Sequence, residues 1–204
     1  GNDQKELFGD DFTPAFSMLC GDTIAHKAIP PERLAKMPPG IAIAAQGCSA
    51  EKDIDYPIDK KLSNHILASL THDQFDITAI NSLPTHPGGR EGIPHAYGFI
   101  YRQIMRKTIP AVHVCINTFY PPNQPTAKRC VELGQAIGRA LIDYPEELNI
   151  AICGSGGLSH FVIDEEFDAR ATDGLINLDM EKLSSLPEEY FQSGTSEIKN
   201  WIVT

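Results

Sequence analysis

The sequence predicts an α/β fold: a mostly parallel central sheet with helices on both faces. Three observations lead there. From Tyr56 onward, apolar runs with strand character alternate with amphipathic helical stretches, the rhythm of parallel strands joined by crossover helices. Runs rich in Pro, Gly and Asn separate these segments and are too long for tight hairpins. At 204 residues, the chain suits one domain and leaves too little for a second.

Each element has its own signal. Residues 58–70 place Leu62, Ile66, Leu67 and Leu70 at helical spacing, and Phe75 to Ile80 follows as a short buried strand. Asn81 to Gly92 is a Pro/Gly loop, after which His95 to Met105 reads as a helix with aromatic residues on one side. Ile109 to Ile116 is a second strand, closed by the turn-rich run NTFYPPNQP at 117–125. Thr126 then caps a helix through Ile142, whose inward stripe is Cys130, Leu133, Ile137, Ala140 and Leu141. Gly134 and Gly138 in that helix read as allowing close packing against the sheet.

Leu148 to Cys153 (LNIAIC) reads as a third strand ending in the turn GSGG, Gly154 to Gly157. Phe167 to Met180 is helical in pattern and Leu186-Pro187 breaks it. Thr195 to Val203 opens a last helix with Thr195 or Ser196 as its cap. Before Tyr56 the pattern is less regular: Pro30 to Gly40 is a connector, and Ile41 to Ala45 is an extra strand or a buried turn.

Composition narrows the function. Hydrophobic residues make up 42% and charged residues 22%, enough apolar material for one core. Seventeen Lys and Arg against 27 Asp and Glu leave a net charge of −10, the wrong sign for binding nucleic acid or an anionic membrane surface. No window approaches the ~18 consecutive apolar residues of a membrane span. Five scattered cysteines without a CxxC or Cys/His zinc spacing fit reduced thiols, and we expect a cytoplasmic protein.

In open sheets of this kind, ligands bind outside the carboxyl ends of the strands. That directs attention to Asn81 with the loop of His86 and His95, to Asn117 with Tyr120, and to Ser155 through His160, a stretch that includes Gly157 and Ser159. The segment GSGGLSH lacks the lysine and spacing of a phosphate-binding loop, is no GxSxG elbow, and contains no GxGxxG. His160 can serve as a general acid/base at the sheet's rim, or simply follow a tight turn. His95 either lines a pocket for a planar substrate or only opens a helix. His65 and His72 read as solvated, and His113 as a buried, hydrogen-bonded strand residue. Glu197 either complements a helix N-terminus or faces a metal.

Taken together, NDQKELF at 2–8, PAFSMLCGDTI at 14–24, NTFYPPNQP, ELGQAIGRAL at 132–141, GSGGLSHFVID at 154–164 and SGTSEIKNWIV at 193–203 resemble the class III extradiol ring-cleavage dioxygenases. The likeness is to the catalytic subunit of the protocatechuate 4,5-dioxygenase beta-subunit type. It implies an oxidoreductase of aromatic compound catabolism, a non-haem Fe(II) enzyme that inserts O2 into a catechol-like substrate. Such iron is held by two His and one carboxylate, with open positions for catecholate and O2. In the carry-over, His160 matches the family's acid/base His, Glu197 its carboxylate ligand, and His95 a pocket His.

The family's first His ligand lies in an N-terminal strand region that this sequence does not contain. Its second falls in an Asn-Asp-His motif where this chain has Asn2, Asp3 and Gln4. The expectation is thus a single catalytic-type domain over 1–204 lacking the family's N-terminal strand region and C-terminal end, acting as a homo-oligomer or with a partner subunit. Either iron is held differently, with Asp3, Glu6 or His86 drawn in, or the fold serves as a metal-free aromatic-binding or partner subunit, or as a metal hydrolase.

Overall fold

The computed structural model describes residues 13–82, 92–105 and 107–204. Its central sheet is built around β1 (Phe16–Leu19), a strand buried at every position. β4 (Ile77–Ile80) runs parallel to it, Phe16 opposite Ile77 and Leu19 opposite Ile80. β5 (His113–Ile116) runs antiparallel on the other side, Phe16 opposite Ile116 and Leu19 opposite His113. A separate antiparallel pair joins β2 (Thr23–His26) to β3 (Ile54–Pro57). The α/β class therefore holds, and among the described residues the central sheet is small and mixed.

Side chains alternate across β1, and each face meets helices. Phe16 and Met18 join the larger core with Leu62, Ile66 and Leu70 of α3 (Lys60–His72) and Cys130, Leu133, Ala136 and Ala140 of α5 (Ala127–Ile142). Leu19 faces the other way, into a cluster with Ile24, Tyr56, Ile80 and Tyr101. Asp59 caps α3 by accepting from the Leu62 N–H at 3.0 Å, and Thr126 caps α5 by accepting from the Arg129 N–H at 3.1 Å. Both helices thus start where a short polar side chain can take an orphan amide.

Several expectations are corrected. Ile41 to Ala45 is neither strand nor buried turn but part of α2 (Pro39–Cys48), which follows the short α1 (Pro31–Leu34). Pro39 at the first position and the alanine-rich sequence favour the helix, and Ile43 is left 71% exposed. Leu148 to Cys153 has no regular secondary structure, is exposed and pairs with no strand among the described residues. Its alternation is real, but a strand needs a neighbouring ladder.

The last helix is preceded by a 3₁₀ turn, Ser193–Glu197, so α8 (Ile198–Val203) starts later than the Thr195/Ser196 cap implied. The helical stretch before it divides into α6 (Glu165–Ile176) and α7 (Met180–Ser184). His65 is only half-exposed, and its Nε2 lies 2.8 Å from the Ala140 carbonyl, tying α3 to α5.

Gly134 faces α8 rather than the sheet, since a Cβ there would lie 2.5 Å from the Val203 carbonyl oxygen, whereas a Cβ on Gly138 meets nothing within 4 Å. Gly134→Ala should cost about 1–3 kcal/mol through overpacking. Gly138→Ala should instead gain about 0.5–1 kcal/mol from helix propensity. Urea midpoints of opposite sign would check both, and two shifts of the same sign would refute the assignment.

A second region is held by aromatic and imidazole groups. Tyr56 stacks on Tyr101 at 3.8 Å, and the Tyr101 hydroxyl meets His113 Nε2 at 3.0 Å. His113 is buried as expected, and its Nδ1 has no hydrogen-bond partner among the described residues. Burial pushes its pKa down to about 4, against an ordinary value near 6.5.

The folded state thus keeps this imidazole neutral while the unfolded chain takes up a proton as pH falls through 6.5. Stability is full above that value and falls by roughly 3 kcal/mol on the way to pH 4. Urea unfolding from pH 7.5 to 4.5 should show this slope in the parent and a shallower one in His113→Phe. Equal slopes would refute the assignment.

Candidate functional site

Two of the candidate parts of the chain, residues 154–160 and the stretch 193–204, pack together at glycine positions. The segment 154–157 lies against α8 and the turn before it. A Cβ on Gly154 would meet Thr204 Oγ1 at 2.5 Å and Trp201 Cδ1 at 3.2 Å, and one on Gly156 would meet the Glu197 carbonyl oxygen at 2.6 Å and Glu197 Cβ at 3.2 Å. None of these glycines has a positive φ. Glycine serves here for close approach, not for the tight turn that the sequence suggested.

The His160 ring lies against the same turn. A Cβ on Gly194 would sit 2.4 Å from Nε2 and 2.5 Å from both Cδ2 and Cε1. Near-equal distances to three ring atoms place Gly194 over the face of the imidazole rather than at its edge. His160 Nδ1 is 2.8 Å from the Leu158 carbonyl. A carbonyl only accepts, so Nδ1 donates here, and the uncharged tautomer compatible with that bond has its lone pair on Nε2. Gly157 faces this ring at ordinary contact distance, its Cβ position 3.8 Å from Nδ1.

Gly194 and Glu197 belong to one 3₁₀ turn, Ser193–Glu197. The His160 imidazole therefore packs on the short turn that carries Glu197, although the two residues are 37 positions apart in sequence. Glu197 is half-buried, and its carboxylate makes no hydrogen bond or ion pair among the described residues. The neighbouring cation does not neutralise it. Lys199 is buried, with Nζ 2.9 Å from Glu188 Oε2 and 4.6 Å from the Phe191 ring centroid.

His95 opens α4 (His95–Phe99), which continues as a π turn through Ile104. It is exposed, and the glycine loop comes close to its helix: Ser155 Oγ lies 3.5 Å from the Ala96 carbonyl. Gly98 lets α4 approach the end of α2, where a Cβ would be 2.2 Å from the Cys48 carbonyl.

Ser159 is turned inward and engaged by Asp168 and Asp164. Asn117 is also buried: its amide donates to the Tyr120 carbonyl at 2.7 Å and to Thr13 at 3.4 Å, and its Oδ1 accepts from the Tyr120 N–H at 2.8 Å. Because β5 is antiparallel, Asn117 sits at the Phe16 end of the sheet, while Asn81 sits at the Leu19 end. The expectation that both line one sheet edge is corrected. Gln4 and His86 lie outside the described residues.

No group of three His, Cys, Asp or Glu converges to hold a metal among the described residues. Among the described residues Glu197 offers one carboxylate without a hydrogen bond or ion pair, a single donor of the two-His, one-carboxylate set that the resemblance implies for iron. No helix among the described residues is long and apolar enough to cross a membrane. Sequence reading passed over Gly194 and Asp168. Their signals were present, a glycine three residues before the candidate carboxylate and an acid one helical turn after Asp164.

Residues 42–204 match the family described as the catalytic LigB subunit of aromatic ring-opening dioxygenase. Gallate dioxygenase of Pseudomonas putida is 32% identical over 161 residues, which cover 70% of this chain and 43% of that relative. The chain thus spans less than half of the relative's length.

Proposed function

Since the chain belongs to the LigB family of aromatic ring-opening dioxygenase catalytic subunits, we propose that it is an Fe(II)-dependent extradiol dioxygenase cleaving a catechol-like aromatic ring with O2. One observation supports this reading above the rest. The glycine loop packs the His160 imidazole, whose Nδ1 donates to the Leu158 carbonyl, against the Ser193–Glu197 turn, and the Glu197 carboxylate makes no hydrogen bond or ion pair among the described residues.

His160 Nε2 accepts the proton of a ring hydroxyl as the substrate binds and returns it to an oxygen of the ring-opened product. The Leu158 carbonyl keeps that nitrogen available by holding the other proton. Glu197 is the carboxylate ligand, and bound iron would supply the activation of O2 and the bidentate seat for the catechol. His95, at the start of α4, lines the entrance for the aromatic ring. Gallate, the substrate in the relative's name, is the first compound to try.

The test is anaerobic loading of the purified protein with Fe(II), then gallate, protocatechuate or catechol with oxygen-electrode and absorbance readouts. One O2 consumed per ring opened is the expected result. Product without oxygen uptake would mean a metal hydrolase, and failure to bind iron would end the oxygenase reading.

A second reading follows from Gln4 in the slot of a family His ligand. In it the protein binds aromatic ligands without converting them, and Gln4→His raises iron affinity. Turnover by the parent protein excludes it.

A further inference from the structure

We propose that Asp168 is a positioning residue for His160, an inference that rests on the reading of His160 as the proton-transfer group. Asp168 Oδ1 accepts from the Ser159 main-chain N–H at 2.8 Å, and Oδ2 accepts from the Ser159 hydroxyl at 2.7 Å. The same hydroxyl oxygen accepts from the Asp164 N–H at 2.8 Å. All the donors of one residue are thereby fixed to the first turn of α6, whose cap is Asp164 itself. Ser159 is 7% exposed, so these bonds are shielded from competing water.

The clamp sits where the imidazole most needs support. Ser159 lies between Leu158, whose carbonyl sets the tautomer, and His160, which carries the ring. On the far side, Phe161 has φ +67, a left-handed backbone that a bulky residue rarely adopts, and its side chain is 88% exposed. Its ring meets the His160 ring at 5.1 Å between centroids, a contact between sequence neighbours at the surface. The charged, two-point hold of Asp168 on Ser159 anchors this stretch to α6. Asp168 acts through Ser159 and does not touch substrate.

Two variants and two readouts test it. Asp168→Ala removes both bonds. Asp168→Asn keeps the shape and one acceptor but sets an NH2 against the Ser159 hydroxyl. In metal-free protein, the ¹⁵N imidazole signals of His160, identified by their loss in His160→Gln, should report a fixed Nδ1–H tautomer in the parent and an averaged one in both variants.

In iron-loaded protein, kcat should fall about 10- to 100-fold in Asp168→Ala, as misplacement of a reacting group does, with KM within about twofold. Should Asp168→Ala fail to fold, Asp168→Asn carries the test alone. Folded variants with parental imidazole signals would overturn the inference. Averaged signals in the variants of a protein that cleaves no catechol would uphold the clamp and sink the proposed function instead.

Discussion

Replacing His160 with glutamine lowers ring-cleaving turnover by about 10²- to 10⁴-fold, the range expected when a positioned acid/base is removed. Iron content stays at the parental level. Glutamine can still donate an amide N–H to the Leu158 carbonyl, which now accepts from Nδ1 at 2.8 Å, but it offers no nitrogen that takes up a proton. It is also flexible enough to avoid Gly194, which lies against the ring face. Steady-state kinetics with metal analysis on the same samples make the check, and a KM within a few-fold of the parent would place the loss in the chemical step. Undiminished kcat would remove His160 from proton transfer, and loss of iron would make it a ligand.

Legibility from sequence followed how locally each element is determined. α3 and α5 could be read because an Asp or Thr cap and a one-sided apolar stripe both lie within the segment. β1 could not: Phe16–Leu19 is short and covered on both faces, so it shows neither alternation nor a turn signature, although it is the centre of the sheet. The direction of β5 was hidden as well, because strand polarity depends on how the chain returns. That reversal moves Asn117 away from the edge where Asn81 ends β4. LNIAIC shows the opposite error, a sound local pattern with no ladder to join.

Candidate site residues could be named from residue type and from the resemblance, and the family match over residues 42–204 agrees with the resemblance itself. The contacts that build the site were not legible. A glycine that admits an imidazole 34 residues away looks like any other glycine in a one-dimensional string.

Those contacts yield the other large effects, through two alanine substitutions that should fail in different ways. In Gly194→Ala the new methyl would stand 2.4 Å from His160 Nε2 and 2.5 Å from two ring carbons, so the ring must leave its place. Turnover should drop about 100-fold, the scale of a reacting group displaced by roughly 1 Å, with most iron retained. In Gly156→Ala the methyl would stand 2.6 Å from the Glu197 carbonyl oxygen and 3.2 Å from Glu197 Cβ, which moves the carboxylate instead. Iron affinity should fall about 10- to 100-fold, as when the groups that orient a ligand are disturbed, and turnover should recover as Fe(II) is raised.

Gly138→Ala is the internal control, because a methyl there would meet nothing within 4 Å, and both properties should hold. Thermal unfolding of all three variants separates site damage from global loss. Gly156→Ala with parental iron affinity would remove Glu197 from the metal. Gly194→Ala with parental turnover would show that the ring works from some other position, since its present one has no room for the methyl.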